Sequence, residues 1–83
     1  MMEEKFKKDD YIINHSSGDL AIVKGITKKG YYQFKQYYDA MLDELKDLKS
    51  YSYELQKNYQ KFFEICTEEE KNKLNEIIKK QTS

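Results

Sequence analysis

One histidine stands beside two serines and an aspartate, and these are the side-chain types that a hydrolase uses. His15, Ser16, Ser17 and Asp19 occupy a single short run of turn-forming residues. A catalytic triad needs nucleophile, base and carboxylate in line, and neighbours on one tight turn cannot reach that arrangement. The sequence therefore predicts no catalytic residue, and we interpret the chain as a protein without enzymatic activity.

The lone cysteine, Cys66, comes just before a predicted helix, where the helix dipole would lower the thiol pKa of an exposed side chain. It also falls on an apolar stripe with Tyr59, Phe62 and Phe63, and this favours a buried structural thiol. One cysteine excludes an internal disulfide and a cysteine-rich zinc site. The sequence predicts neither a metal site nor a cofactor.

Three aspartates spaced four residues apart form the first candidate binding surface. Asp39, Asp43 and Asp47 share one side of a helix predicted over 37–48. Carboxylates on one helix cannot encircle a cation, so a metal site is not expected. The ridge is either a solvated face or a docking patch for a basic groove on another protein. Tyr31 and Tyr37 join it as protein-binding candidates, because tyrosine is enriched in interfaces.

Lysines with interleaved aromatic residues form a second candidate surface, for nucleic acid. The stretch 20–38 holds five aromatic residues and no acid. The candidate residues of this surface are Lys24, Lys28, Lys29, Lys35 and Tyr31. Cations beside aromatic rings are typical of platforms for single-stranded nucleic acid. The alternative is that the aromatic residues form the core and the lysines protect a sheet edge from aggregation.

Charge and composition bear on the choice between these surfaces. The 83 residues carry no net charge, and all 15 cationic side chains are lysines. Dedicated nucleic-acid binders are usually basic, and without arginine the bidentate reading of guanine is excluded. The bias towards Lys, Ile, Asn and Tyr is that of an AT-rich genome. No signal peptide or membrane-length apolar run is present, so we expect a cytoplasmic protein.

The predicted elements make one small domain, 1–83, of the α+β class. Strands are expected near 11–14, 20–27, 31–36 and 50–56, with a bulge or bend next to Gly25, where the alternation breaks. The segment 37–48 is interpreted as a helix inserted in this sheet, which spans about 9–56; the alternative is that it forms a strand. Two C-terminal helices are expected within 58–80, one near 58–66 and one over 68–80.

The last of these helices has the strongest local signal in the sequence. Thr67 followed by Glu70 is a capping box, and three acids occupy the first helical turn. The residues predicted to be buried throughout the domain are Ile22, Val23, Phe34, Leu45, Leu55, Phe62, Leu74 and Ile78.

Four segments follow one another as a short strand, a glycine turn, a strand with a central glycine and a third strand. They are DYII at 10–13, SGDLAIV at 17–23, GI at 25–26 and GYYQF at 30–34. In this order they resemble the opening of SH3-like small barrels of the KOW type, over roughly residues 1–38. The resemblance implies a small antiparallel sheet or partial barrel that binds nucleic acid, ribosomal surfaces or proteins. The inserted helix and the C-terminal helices depart from that module.

Two functions follow from these observations. The first is a non-enzymatic protein-interaction module; its small size, neutral charge and tyrosine-rich surface fit an inhibitor of a host or defence protein, encoded by a phage or plasmid and acting by steric occlusion. The second is a KOW-like module that binds nucleic acid or the ribosome through the lysine surface. We favour the first because the chain has no net charge and no arginine.

Overall fold

The computed structural model describes residues 5–47 and 54–82 and shows an α+β domain, an antiparallel sheet followed by a C-terminal helix. In chain order its elements are β1 Tyr11–Asn14, β2 Leu20–Ile26, β3 Tyr32–Asp39, β4 Glu44–Asp47, β5 Glu54–Leu55, α1 Lys57–Gln60, β6 Phe63–Ile65 and α2 Glu68–Thr82. The first three strands and the last helix confirm the predictions for those segments.

The sheet has the order β4-β3-β2-β1-β6, and β5 pairs with β3 off this path. The long strand β3 pairs with two strands along the same edge. Its second half, Gln36 to Asp39, pairs with β4, and Tyr32 and Gln33 pair with β5. The terminal strands of this path are thus β4 and β6. Among the described residues β6 pairs with β1 alone, and β5 pairs with β3 alone.

Two bulges bend the central β2–β3 pair. The register passes from Ile22↔Gln36 to Val23↔Phe34 and then to Gly25↔Gln33, which leaves Lys35 and then Lys24 without an opposite residue. The bulge beside Gly25 was predicted, and the one at Lys35 was not. A bulge reverses the alternation of side chains, so Phe34 and Tyr37 lie on the same face of β3 although they are three residues apart.

Each face of the sheet carries its own apolar cluster. Adjacent residues of β1 divide between them, Ile12 on one face and Ile13 on the other, as the period of a strand requires. The inner-face cluster comprises Phe6, Ile12, Ala21, Val23, Tyr32, Phe34, Leu55 and Phe63. The outer-face cluster centres on Leu20, Ile22, Tyr38 and Leu74, and α2 covers it.

Of the residues predicted to be buried, five lie in these clusters: Ile22, Val23, Phe34, Leu55 and Leu74. Leu45 and Ile78 are half-buried. Phe62 was predicted wrongly, because its side chain is 42 % exposed, whereas the adjacent Phe63 is buried. Phe62 lies in the turn before β6, whereas Phe63 begins the strand and packs in the inner-face cluster.

The helix predicted over 37–48 is wrong. The strand β3 continues to Asp39, the chain turns over 40–43, and β4 returns along β3. Within the turn, the Asp39 carboxylate accepts the N–H groups of Met41 and Leu42 at 3.1 and 3.2 Å, and Asp43 adopts a positive φ of 49°. Pairing of β3 with β2 extends to Tyr38, and this tertiary pairing overrides the local helical spacing.

The helix predicted near 58–66 is also wrong beyond its first turn. The segment forms the four-residue helix α1 and then β6. The strand predicted over 50–56 is confirmed at Glu54 and Leu55, and its earlier residues lie outside the described part of the chain.

The segment before β1 contributes Phe6 to the core, where its side chain is buried. The Phe6 ring meets the Tyr32 ring edge-on, with centroids 5.1 Å apart, and the Phe6 N–H donates to the Tyr32 hydroxyl at 2.9 Å. Asp9 and Val23 continue the pairing, since the Asp9 N–H donates to the Val23 carbonyl. The N-terminal segment therefore closes one end of the inner-face cluster.

Candidate functional site

An open groove of about 490 Å³ lies where the inner face of the sheet reaches its edge. We call it the aromatic groove. Its described lining residues are Asn14, Phe34, Tyr37, Glu54, Leu55, Gln56, Tyr59, Phe62 and Phe63. They come from β1, β3, β5, α1, β6 and the turn before β6, so the folded sheet brings together residues that are distant in sequence.

The floor of the aromatic groove is closely packed. The buried ring of Phe34 stacks on Tyr37 with centroids 5.6 Å apart and lies 6.0 Å from the centroid of Phe63. The hydroxyl of Tyr37 donates to the Asp19 carboxylate at 2.5 Å, which anchors the far end of the ring. A packed floor of this kind costs little entropy when a ligand binds.

The rim of the groove is exposed. Tyr59 is 56 % exposed and Phe62 is 42 % exposed, and their ring centroids lie 6.5 Å apart. The ammonium group of Lys61 lies 5.3 Å from the centroid of the Phe62 ring. Exposed aromatic side chains grouped beside a packed floor are typical of a surface that another molecule covers.

The polar lining of the groove contains one charged side chain among the described residues, Glu54. It belongs to the short strand β5 and is exposed. No ion pair is found for its carboxylate within the described ranges. The groove thus combines aromatic faces with one negative charge, a combination that favours a cationic or amphipathic ligand.

Phe63 of β6 lines the groove, and within residues 5–47 and 54–82 no strand pairs with the outer edge of β6. The Cys66 N–H donates to the Tyr11 carbonyl at 2.9 Å, so Cys66 and Glu64 direct their backbone groups towards β1. The backbone N–H and C=O groups of Phe63 and Ile65 consequently point away from the sheet. Ile65 adds an apolar side chain that is 52 % exposed.

The predicted acidic ridge does not form, because its helix does not form. Asp39 and Asp43 lie instead at the two ends of the β3–β4 turn, and Asp47 ends β4. Asp39 caps the turn, and the Asp43 carboxylate accepts the Tyr38 hydroxyl at 2.5 Å. That hydrogen bond raises the pKa of Tyr38.

The same turn carries the most exposed apolar side chains of the described chain, Met41 at 90 % and Leu42 at 62 %. Asp19 helps to hold it, because its carboxylate accepts the Ala40 N–H at 2.9 Å. The described carboxylates around the turn therefore serve its conformation, and its apolar tip is a second exposed patch.

Of the two candidate tyrosines, the structure brings Tyr37 into the aromatic groove. Tyr31 is half-buried just before β3, where its N–H donates to the Thr27 hydroxyl at 3.1 Å, and it does not line the groove. Tyr32 and Phe34 are core residues, in agreement with the alternative considered for the aromatic stretch.

The predicted lysine surface is exposed, but its members differ in their environment. Lys28 and Lys29 occupy the β2–β3 turn, and Lys24 lies in a bulge. Lys35 forms an ion pair with Asp9, and that hydrogen bond lowers the pKa of the Asp9 carboxyl. A phosphate would therefore have to compete with an internal carboxylate at Lys35.

His15 and Cys66 contact neighbouring elements of the fold. The His15 ring lies 3.5 Å from Glu64 and 3.7 Å from Glu70, and these contacts connect the β1–β2 turn with β6 and α2. Cys66 is half-buried against the outer-face cluster, and burial, followed by the nearby Glu70, raises its thiol pKa to about 11. A thiol in that state is protonated and poorly reactive near neutral pH.

The capping box that the sequence predicts is present. The Glu70 N–H donates to the Thr67 hydroxyl at 3.3 Å, and the Thr67 N–H donates to the Glu70 carboxylate at 2.8 Å. The backbone hydrogen bond from Thr67 holds the pKa of Glu70 below its ordinary value.

Among the residues that the structure describes, no group of three histidine, cysteine, aspartate or glutamate side chains could hold a metal ion. Neither described helix is long and apolar enough to cross a membrane.

Sequence reasoning did not find the aromatic groove. Tyr59 and Phe62 were assigned to the apolar stripe of a helix, and Glu54 was not a candidate. The one available signal was the density of aromatic residues over 59–63. Comparison of the chain with protein-family models, with curated proteins and with solved structures finds no match, so the resemblance to KOW-type SH3-like barrels stays a prediction.

Proposed function

We propose that this chain is a non-enzymatic protein-interaction module that binds a partner protein through the aromatic groove. The observation that supports it most is the exposed rim, Tyr59 and Phe62, above the packed floor of Phe34 and Tyr37. Buried aromatic anchors beside a polar edge dominate the energy of protein interfaces. A domain of this size would inhibit its partner by occupying a surface that the partner needs, which is the steric occlusion expected of a phage- or plasmid-encoded inhibitor.

Charge gives this function more support than nucleic-acid binding. The chain has no net charge, and the charged side chain that lines the groove is the carboxylate of Glu54. Phosphates would be repelled there, and Lys35 is already paired with Asp9. Of the four lysines predicted for a nucleic-acid surface, Lys24, Lys28 and Lys29 are left for phosphates, and each phosphate contact contributes only part of such an affinity.

The test is recovery of a partner from extract of the source cells, with and without nuclease, by the wild-type chain and by three variants. The groove variant is Tyr59→Ser with Phe62→Ser. The matched control is Met41→Ser with Leu42→Ser, which removes a similar exposed apolar surface at the β3–β4 turn. The third variant changes Lys24, Lys28, Lys29 and Lys35 to glutamine.

We expect a specific protein to be recovered in the presence of nuclease, to be lost in the groove variant and to be retained in the other two. Since all substituted aromatic and aliphatic side chains are exposed, the variants should fold as the wild type does. Loss in the turn variant alone would move the binding site to the β3–β4 turn. Recovery that nuclease or the glutamine set abolishes would replace the proposal with nucleic-acid binding.

A further inference from the structure

We propose that the partner contributes an extended segment that adds as a strand to the outer edge of β6 and places an arginine or lysine side chain in the aromatic groove, against Glu54. This inference rests on the proposed function and states its mode of recognition. It is carried by three features of the described residues: a strand edge with which none of them pairs, a face of β6 that lines the groove through Phe63, and the Glu54 carboxylate among aromatic rings.

The edge of β6 offers a regular set of backbone groups. Phe63 and Ile65 each direct an N–H and a C=O away from β1, because the intervening Glu64 pairs with Ile13. Main-chain hydrogen bonds to such an edge supply affinity in strand addition, and pockets for every second side chain supply specificity.

The faces of β6 determine where those side chains would go. Phe63 lies opposite Asn14 in the sheet and, like Asn14, lines the aromatic groove. A strand added beside β6 continues the same alternation, so every second side chain of the added segment projects towards the groove. The remaining side chains project to the other face, where Glu64 and His15 lie.

The groove selects a cation among those side chains. Rings of this protein already receive ammonium groups at 5.0 to 5.3 Å, as Lys71 does over Tyr11 and Lys61 over Phe62. Tyr59 is exposed, and Glu54 adds a carboxylate to the same lining. A guanidinium or ammonium group stacked on the ring and paired with the carboxylate satisfies both features.

A second copy of this chain fits the edge less well. Antiparallel pairing of β6 with itself about its central residue would place two Glu64 side chains directly opposite each other on one face. Like charges in that position destabilise a strand pair. Glu64 is thus unfavourable for self-pairing and favourable for a basic segment from another protein.

The experiment uses the full chain and a library of short random peptides displayed on phage, selected for binding that the Tyr59→Ser, Phe62→Ser variant loses. The selected peptide is then synthesised with a single N-methyl group at each backbone position in turn. Strand addition predicts a period of two: methylation of alternate amides lowers affinity about tenfold, and methylation of the others leaves it within a factor of about two.

The cation is tested by a double-mutant cycle between Glu54→Gln and replacement of the basic residue of the peptide by glutamine. We expect each single change to weaken binding about three- to tenfold and the second change to add little once the first is made. Glu44→Gln is the matched control, since Glu44 is an exposed carboxylate on β4, at the other end of the sheet.

On the protein side, Ile65→Pro removes an outward N–H and should weaken binding of the peptide about tenfold, whereas Ile65→Ala keeps that N–H and should have a smaller effect.

Groove-dependent binding without the period of two would overturn strand addition and leave the proposed function standing. Peptides without a basic residue, or additive effects in the cycle, would overturn the role of Glu54. Failure to select any groove-dependent peptide would overturn the inference as a whole, while partner recovery from extract would still test the proposed function.

Discussion

The outer edges of the two terminal strands, β4 and β6, differ in what covers them. At β4 the helix α2 lies against the edge, and the Gln81 side chain accepts the N–H of Leu45 at 3.0 Å. At β6 no described residue pairs with the outer edge, and the aromatic groove opens beside it. An unpaired strand edge is a liability that proteins normally cover. This contrast, within the described residues, is the observation behind the proposal that a partner segment pairs with β6.

The largest expected effect separates the floor of the groove from its rim. Truncation of the buried Phe34 to alanine should cost ~3–5 kcal/mol of the free energy of unfolding, because it removes the contacts with Tyr37 and Phe63 and leaves a cavity. Phe62→Ala at the exposed rim should stay within about 1 kcal/mol. Urea denaturation of both variants measures the difference, and equal losses would mean that the rim is part of the core.

The next largest effect tests the alternation along β6. Glu64→Pro removes an N–H that points towards β1 and leaves the Ile13 carbonyl without a partner, which should cost about 1–3 kcal/mol. Ile65→Pro removes an N–H that points outward and should change stability by about 0.5 kcal/mol or less. If the two variants lost the same stability, the assignment of an outward edge at Ile65 would be wrong.

A third prediction concerns how the stability contributed by Glu70, at the start of α2, depends on pH. The pKa of Glu70 is lower in the folded protein than its ordinary value of 4.5, so its contribution is present above that value and is lost as the pH falls through and below it. Glu70→Gln should therefore be less stable than the wild type at pH 7 and should approach it in acid. Thermal midpoints of both proteins across this range measure it, and a constant difference at all pH values would contradict the assignment.

The smallest effect lies at the β4 edge. Gln81→Ala removes the acceptor of the Leu45 N–H and should cost only about 0.5 kcal/mol, since water replaces an exposed hydrogen bond. Its clearer consequence should be faster exchange of the Leu45 amide hydrogen, measured by NMR. An unchanged exchange rate would show that something other than Gln81 covers this edge.

The fold was predictable where local signals and tertiary packing agree. The capping box at Thr67 marks α2, and the β-branched run of β2 with the break at Gly25 marks a bulged strand. The segment 37–48 has helical spacing, but strand pairing of Tyr38 with Leu20 decides its structure, and no local signal reports that pairing. The β3–β4 turn then uses Asp39 and Asp43 for its own hydrogen bonds.

The candidate site was less predictable than the fold. The sequence drew attention to charged residues, yet the site is formed by aromatic side chains from β3, α1 and the turn before β6. Tyr37 is the one candidate that reaches it, and it does so because the bulge at Lys35 reverses its side of the strand. Such a site depends on which distant segments meet, and periodicity along the chain carries no information about that.

Site-resolved amide exchange of the free protein tests the central claim, that the outer edge of β6 is open for a partner, most directly. We expect the exchange rate to alternate along the chain at β6. The amides of Phe63 and Ile65 should exchange rapidly, and those of Glu64 and Cys66 should be protected because they are directed to β1. The Leu45 amide at the β4 edge serves as an internal reference for a covered edge. Protection of Phe63 and Ile65 equal to that of Glu64 would contradict the account, because the edge would then already be paired.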